Sequence, residues 1–302
     1  MLMNIFHILL FLFVILCHGF ADSSHEVVAV QSFNIKPYDE ALKGFNSVCD
    51  CQIKRFVLPE MEGIDVVKTI REARPDIILA IGTDSLIRVK KIKDIPIVYL
   101  MVPNPQTVIS EEENITGVSM NIPPHNQLAT LKDVLPGIKR VGLLYNPERT
   151  GFFVKKARLA ANSMGIELLA KEVHSPKDVP ALVNNMKGEI NAFWMLPDTT
   201  VITPETAEFL LLFSFENKVP ILAFSDKYVE MGALLSLEAD AFDSGKQARE
   251  MAHKILSGTN IKKVPKTDPR KAVLSINLKI AKKLGITISK DIINKARIID
   301  RK

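Results

Sequence analysis

The sequence predicts an α/β fold of two doubly wound parallel-sheet lobes joined by a multi-stranded hinge. Three observations carry that expectation. First, one unit is written twice: Pro75-Asp-Ile-Ile-Leu-Ala-Ile-Gly-Thr-Asp84 running on to Ile95-Pro-Ile-Val-Tyr-Leu100, and Ile190-Asn-Ala-Phe-Trp-Met-Leu-Pro-Asp198 running on to Val219-Pro-Ile-Leu-Ala-Phe224. Second, each copy is an apolar run of strand length, a polar turn, a helical stretch and a Pro opening another apolar run. Short runs buried on both faces and separated by helices are the pattern of a parallel sheet. Third, Val27-Val-Ala-Val-Gln-Ser-Phe-Asn34 and Val141-Gly-Leu-Leu-Tyr-Asn146 both pass from an apolar strand to a polar Asn before a helix. Each half then reads β-α-β-α-β-α-β, and handed crossovers put helices on both sheet faces.

In chain order, the first half is expected to hold strands at 27–32, 52–58, 76–81 and 97–101, with helices at 38–47, 63–73 and 85–91 between them. The chain then leaves the first sheet through Asn114-Ile-Thr-Gly117 and Pro123-Pro124, and a helix at 128–135 leads into the second half. There, strands are expected at 140–145, 167–173, 191–196 and 221–224, and helices at 153–164, 177–186 and 204–216. Gly232-Ala-Leu-Leu-Ser-Leu237 reads as a strand or crossing, and 243–256 as an amphipathic helix ended by Ser257-Gly258. An apolar piece at 272–276 precedes a final helix pair at 278–284 and 292–299. If the 243–256 helix packs back on the first lobe, the linker has several strands and acts as a hinge. The expected division is a first lobe of 22–121 plus 238–262 and a second of 122–237 plus 263–302.

The opening residues, Met1–Ala21, carry no Lys, Arg, Asp or Glu, and an unbroken apolar run at 8–17 is followed by Gly19-Phe20-Ala21. This reads as a secretory signal peptide cleaved after Ala21, placing the mature chain in the periplasm or outside the cell. Gly19 and Asp22 cut the run below the roughly 18 apolar residues of a membrane span. Val14-Ile-Leu-Cys17 is a poor lipoprotein box, because Leu16 stands where a small residue is required. About 280 residues then remain, enough for two ordinary domains.

The net charge of +5 comes from 39 basic and 34 acidic residues with no basic stripe, which argues against nucleic-acid binding. Only Cys49 and Cys51 follow the signal, and the pair reads equally as a small strained loop disulfide or as two thiols. The His residues form no spaced cluster, so neither a metal nor any other cofactor is expected.

Several stretches together resemble the solute-binding proteins of ABC importers, in the branch with tryptophan- and tyrosine-type receptors. They are Asn114-Ile-Thr-Gly-Val-Ser119, Leu135-Pro-Gly-Ile-Lys-Arg-Val-Gly-Leu-Leu-Tyr-Asn-Pro147, Val219-Pro-Ile-Leu-Ala-Phe-Ser-Asp226, Gly245 with Ala248 and Leu256-Ser-Gly258, and Asn277-Leu-Lys-Ile-Ala-Lys-Lys-Leu-Gly-Ile286. Each is weak singly; their order and spacing over nearly the whole mature chain are specific. The resemblance implies a type I periplasmic-binding fold with three interlobe crossings. One departure is Asn104-Pro105, where the family often has Asp-Pro, which removes a charge from that loop.

Ligands of open parallel sheets collect beyond the carboxyl ends of the strands, near helix N-termini. Those ends carry Phe33, Asn34, Thr83, Asp84, Ser85, Asn104, Asn146, Asp198, Thr199, Phe224 and Ser225. Thr83, Asp84 and Ser85 serve equally as helix caps, and so does Asp198, although Thr203 is placed to cap the next helix. A free Asp198 would suit a ligand ammonium, and the Ser85 hydroxyl a ligand carboxylate. Strand-borne Tyr99 and Trp194 read as core, whereas Phe33 and Phe224, at strand ends, read as walls of an apolar subsite. Asn114 reads as fixing the crossing turn rather than as a glycan acceptor, with Thr116 reaching the cleft.

Catalytic motifs are missing: there is no G-x-S-x-G, P-loop, G-x-G-x-x-G or H-E-x-x-H. A pseudo-symmetric racemase would want one Cys from each half, and both mature Cys lie in the first. The expected protein is a monomeric, non-enzymatic receptor that closes on a small ligand, an amino acid or related organic acid, and delivers it to the membrane permease of an ABC importer. A sensory receptor is the alternative, and a racemase or hydrolase a more distant one.

Overall fold

The computed structural model describes residues 25–48 and 51–299. The signal expected at 1–21, Cys17 and Cys49 lie outside the described residues; Cys51 is disulfide-bonded.

Strands β1 (Glu26–Gln31), β2 (Gln52–Val57), β3 (Ile77–Ile81), β4 (Ile97–Val102) and β5 (Ile115–Ser119) form one sheet in the order β2-β1-β3-β4-β5, parallel throughout. The second sheet has seven strands: β6 (Arg140–Tyr145), β7 (Glu167–Glu172), β8 (Ala192–Trp194), β9 (Ile221–Ala223), β10 (Leu235–Ala239), β11 (Ala272–Ile276) and β12 (Arg297–Ile298). Its order β12-β11-β10-β9-β8-β6-β7 repeats the first sheet's winding over β6 to β10 and adds an antiparallel β11 against β10. The repeated unit is therefore two copies of one doubly wound topology, each with a switch point between its first and third strands.

The helices fall where apolar periodicity and capping residues put them. In the first lobe they are α1 (Lys36–Asn46), α2 (Val66–Glu72) and α3 (Thr83–Val89). The second holds α4 (Pro124–Val134), α5 (Pro147–Ser163), α6 (Val179–Asn184), α7 (Pro204–Asn217) and α8 (Asp226–Met231). They are followed by α9 (Ala241–Leu256), α10 (Leu278–Leu284) and α11 (Lys290–Lys295). Asp65, Asn146, Thr203, Ser225, Asp240, Asn277 and Ser289 each accept a backbone N–H in the first turn of the helix they precede, which satisfies donors the helix leaves open.

Helix α4 starts at Pro124, four residues ahead of expectation, and four other elements differ more. The segment read as leaving the first sheet at Asn114 is its fifth strand, β5, buried along its whole length. It is anchored where the Asn114 amide donates to the Ile92 and Ile95 carbonyls, both at 2.8 Å. Helix α5 begins at Pro147 rather than 153, because Asn146 caps it and the proline occupies the first turn, where a missing N–H costs nothing. Helix α8 was not anticipated. The last expected helix is α11 followed by β12, since Ala296 is extended and Arg297–Ile298 pairs with Ser275 and Ile276.

The chain passes between the sheets three times. Met120 to Pro123 joins β5 to α4, Asp240 joins β10 to α9, and the stretch from Val264 to Lys271 returns to β11. The return runs beside β5, with Thr267 donating its N–H to Gly117 O at 3.0 Å and accepting from Ser119 N at 2.8 Å. Thr116 donates its hydroxyl to Val264 O at 2.9 Å. Helix α9 lies against α1 of the first lobe, where a Cβ on Gly245 would collide with the Ala41 carbonyl oxygen and one on Gly44 with that of Phe242. Two facing glycines thus let the backbones touch and lock α9 to the first sheet.

Candidate ligand-binding site

The carboxyl ends of both sheets border the space between the lobes, and each switch point is tied shut within its own lobe. In the first, Gly82 takes φ +90° against Tyr38 and Ser32, with no room for a Cβ. Ser32 Oγ accepts the Ser85 N–H at 2.9 Å, and the Ser85 hydroxyl donates to Gly82 O at 2.8 Å. Burial, then the charge of Asp84, pushes the Tyr38 phenol up. In the second, the Asp198 carboxylate is 1% exposed. It accepts from Asn146 N at 2.7 Å, Thr150 Oγ1 at 2.5 Å and Thr200 N at 2.9 Å. Asn146 donates its amide to Thr200 Oγ1 at 3.1 Å.

Of the anticipated site residues, Ser85, Asp198, Asn146 and Thr116 therefore spend their polar groups on the protein itself. Phe33, Asp84 and Thr199 are exposed on the rims, Asn34 accepts from Arg55 at 3.1 Å, and Thr83 begins α3, half-buried. Ser225 caps α8. Asn104 and Phe224 are the ones that line a cavity.

That cavity, about 220 Å³, lies against the first crossing. Its walls are apolar: Met120 and Ile122 of the crossing, Phe153 of α5, Leu196, Phe224 and Leu237. Phe224 meets Tyr228 edge-on at 4.9 Å. Asn104, Asn121, Ile122 and Phe153 also border an outer space of about 470 Å³ containing Tyr99, Lys156, Lys266 and Asp268. Gln127, at the inner wall, is held at both ends of its amide: it donates to Ile122 O and accepts the Trp194 indole N–H, both at 2.8 Å.

Glu238, the penultimate residue of β10, is the carboxylate of the inner cavity. Burial, then the neighbouring Asp226 charge, holds it above the usual carboxylate range, against hydrogen bonds from the Asp226 N–H and Ser225 hydroxyl and the charge of Arg297. It escaped sequence reasoning because the stretch read as a strand or crossing, Gly232-Ala-Leu-Leu-Ser-Leu237, stops one residue short of it and gives no hint of which strand end opens on a cavity. Phe153 and Thr150 were missed for a related reason: the start of α5 was placed at Phe153, which hid that the first turns of the helix, Thr150 included, face the cavity. Among the described residues no cluster of His, Cys, Asp and Glu is arranged to hold a metal ion, and no helix is long and apolar enough to cross a membrane.

An interlobe cavity at the strand ends of two such sheets is the site of a binding protein, and the sequence agrees. The sequence model of the family described as ABC transporter substrate binding protein matches residues 60–299. The chain belongs to this family. Members are ligand-binding proteins, and the fold is that of the type I periplasmic-binding proteins. Among relatives of this substrate-binding protein, the tyrosine-binding protein of Clostridioides difficile (strain R20291) is 24% identical over 213 residues. That stretch is 68% of this chain and 61% of the relative, so less than two thirds of the relative's length is matched.

Two solved structures share the fold. One is the ligand-free, open structure of a substrate binding protein with adhesive properties from Clostridium difficile, with TM-score 0.76, 22% identity, and coverage of 92% of this chain and 100% of that one. The other is the ABC domain from Streptococcus pneumonia in complex with L-Trp, with TM-score 0.65, 23% identity and the same coverage of 92% and 100%.

Proposed function

We propose that this substrate-binding protein is the extracytoplasmic receptor of an ABC importer, closing on an amino acid with an apolar or aromatic side chain and handing it to a membrane permease. The observation that carries the reading is Glu238, the one carboxylate among the residues lining a mostly apolar cavity between the lobes. A carboxylate lifted by burial gains most from a cation that enters and replaces the water it lost. An ammonium group on Glu238 leaves the rest of the ligand among Phe153, Phe224 and Leu196. A space of about 220 Å³ is below the ~300–1,000 Å³ of drug-sized sites and fits a ligand of amino-acid size. Likeness to a tyrosine-binding protein and to a domain that holds L-Trp supports the same class.

The mechanism is population shift. Contacts to both lobes favour the closed state, the three crossings absorb the rotation, and the closed outer surface is what the permease reads. The protein acts as a monomer, is exported by the signal at 1–21, and turns nothing over. Asn104 and Phe224 are the anticipated residues placed to touch the ligand. The test is calorimetric titration of purified protein with L-tyrosine and L-tryptophan, together with mass spectrometry of any molecule carried through purification. One-to-one binding without chemical change is expected. Failure of both amino acids to bind, or conversion of the bound molecule, overturns the reading.

A further inference from the structure

We infer that Asn104 is a specificity-determining residue that donates its side-chain NH2 to a carboxylate or carbonyl oxygen of the ligand, its amide held in that orientation by Asn121. The inference rests on the cavity being the ligand site, as proposed above.

Asn104 follows β4 with φ +46°, a left-handed backbone that Asn tolerates better than most residues, and is 9% exposed. Its own backbone N–H lies 3.3 Å from Asn121 Oδ1, and Asn121 Nδ2 lies 3.0 Å from Asn104 Oδ1. The two bonds remove the usual ambiguity between amide oxygen and nitrogen. A backbone N–H only donates, so the Asn121 atom facing it is oxygen; the other Asn121 atom is then NH2 and donates, so the Asn104 atom facing that one is oxygen. The remaining Asn104 atom is an NH2 with both protons to give, and among the described residues it meets no acceptor. Asn104 borders both the inner and the outer space. The cavity therefore has a donor from the first lobe and an acceptor, Glu238, from the second.

This polarity selects among ligands with the same apolar body. A zwitterion meets Asn104 with its carboxylate and Glu238 with its ammonium, whereas an amine without the acid leaves the Asn104 donor unpaired. An unpaired group in a binding site is penalised more heavily than a missing apolar contact. Asn121 lies on the first crossing, so the residue that aims the donor is also part of the hinge.

The test is titration of the full chain with L-tryptophan, L-tryptophanamide and tryptamine, with thermal melting of each variant as a check on folding. The wild type is expected to bind L-tryptophan at least ~10-fold tighter than tryptamine, the equivalent of one hydrogen bond to a charged group, with the amide between or close to the acid. Asn104→Asp keeps the oxygen that Asn121 needs and a residue type tolerated at positive φ, but turns the donor into an acceptor. L-tryptophan should weaken at least ~10-fold and tryptamine should hold or tighten. Asn121→Asp leaves an acceptor for the Asn104 N–H but no donor, so the Asn104 amide turns over and its NH2 leaves the cavity; it should weaken L-tryptophan and spare tryptamine.

Equal binding of L-tryptophan and tryptamine by the wild type, or a loss in Asn104→Asp that is absent or the same for both, overturns the role of Asn104 and leaves the receptor reading intact. Failure of the wild type to bind any of the three, with L-tyrosine and tyramine failing as well, overturns both.

Discussion

Asp198 Oδ2 accepts the Asn146 backbone N–H at 2.7 Å, joining the end of β8 to the end of β6 at the switch point of the second sheet. With the Thr150 hydroxyl at 2.5 Å and Thr200 N at 2.9 Å, a carboxylate that looked available to a ligand is a structural tie. Asp198→Ala would leave those donors unpaired in a site closed to water. It is expected to cost about 2–3 kcal/mol of stability, the range for buried hydrogen bonds to a charged group. Urea denaturation reads this directly. A midpoint equal to the wild type's would return Asp198 to the ligand.

Glu238 gives opposite pH trends for stability and for binding. Its folded carboxyl lies above the ordinary glutamate value, so the folded state holds the proton more tightly than the unfolded chain does. The group therefore costs stability above that window, and the cost fades as pH falls through it. Ligand affinity moves the other way, since an ammonium pairs only with the ionised carboxylate. Glu238→Gln should stabilise the ligand-free protein at neutral pH. It should also weaken amino-acid binding by about 1.5–3 kcal/mol, as expected for a lost hydrogen bond to a charged group, and flatten both dependences. Melts and titrations across pH 4 to 8 on the two proteins check each sign.

At the hinge, Asp243 of α9 accepts from Arg270 Nε at 2.8 Å and lies 3.2 Å from Lys271 Nζ. Arg270 also reaches Glu250 at 2.9 Å. Burial pushes the Asp243 carboxyl up, but hydrogen bonds from Arg270 and Lys271 and their charges outweigh it and hold the group below the usual aspartate range. A depressed folded value means stability present above the unfolded value and lost as pH falls through the folded one. Arg270→Ala should cost about 1 kcal/mol at neutral pH, because the guanidinium is partly exposed and Lys271 remains. The difference should vanish in acid, and an undiminished difference there would mean packing, not charge, was lost.

Gly245 and Gly44 set how closely α9 approaches α1. Gly245→Ala puts a methyl into the Ala41 carbonyl, where backbone and not a side-chain tip has to move. About 1–3 kcal/mol of destabilisation is expected from overpacking, and denaturation of this variant beside Gly151→Ala, whose position is open, separates crowding from any general effect of removing glycine.

The doubly wound lobes and most strand and helix positions were legible because they follow from short-range pattern. Apolar runs of five or six residues bounded by Gly, Pro and Asn mark strands whatever surrounds them, and the doubled unit announced two lobes. The ends of α5 and of the final segment were less legible, since Pro147 reads alike as a loop residue or as a first-turn residue, and Ile298 pairs only because β11 is beside it. The site was least legible. Ser85 and Asp198 have the chemistry of ligand contacts, but Ser32, Asn146, Thr150 and Thr200 claim them through contacts up to 53 residues apart along the chain. Glu238 became a candidate only once β10 was seen to end at the cavity.

The account's central claim is that a ligand bridging Asn104 and Glu238 draws the lobes together. The direct measurement is the distance between spin labels at two exposed rim positions, Lys36 in the first turn of α1 and Glu148 in the first turn of α5, with and without saturating L-tryptophan. The account predicts a shorter, narrower distance distribution with ligand in the wild type and an unshifted one in Glu238→Gln at the same ligand concentration. An unchanged wild-type distance, with binding confirmed by titration of the same labelled sample, would contradict it.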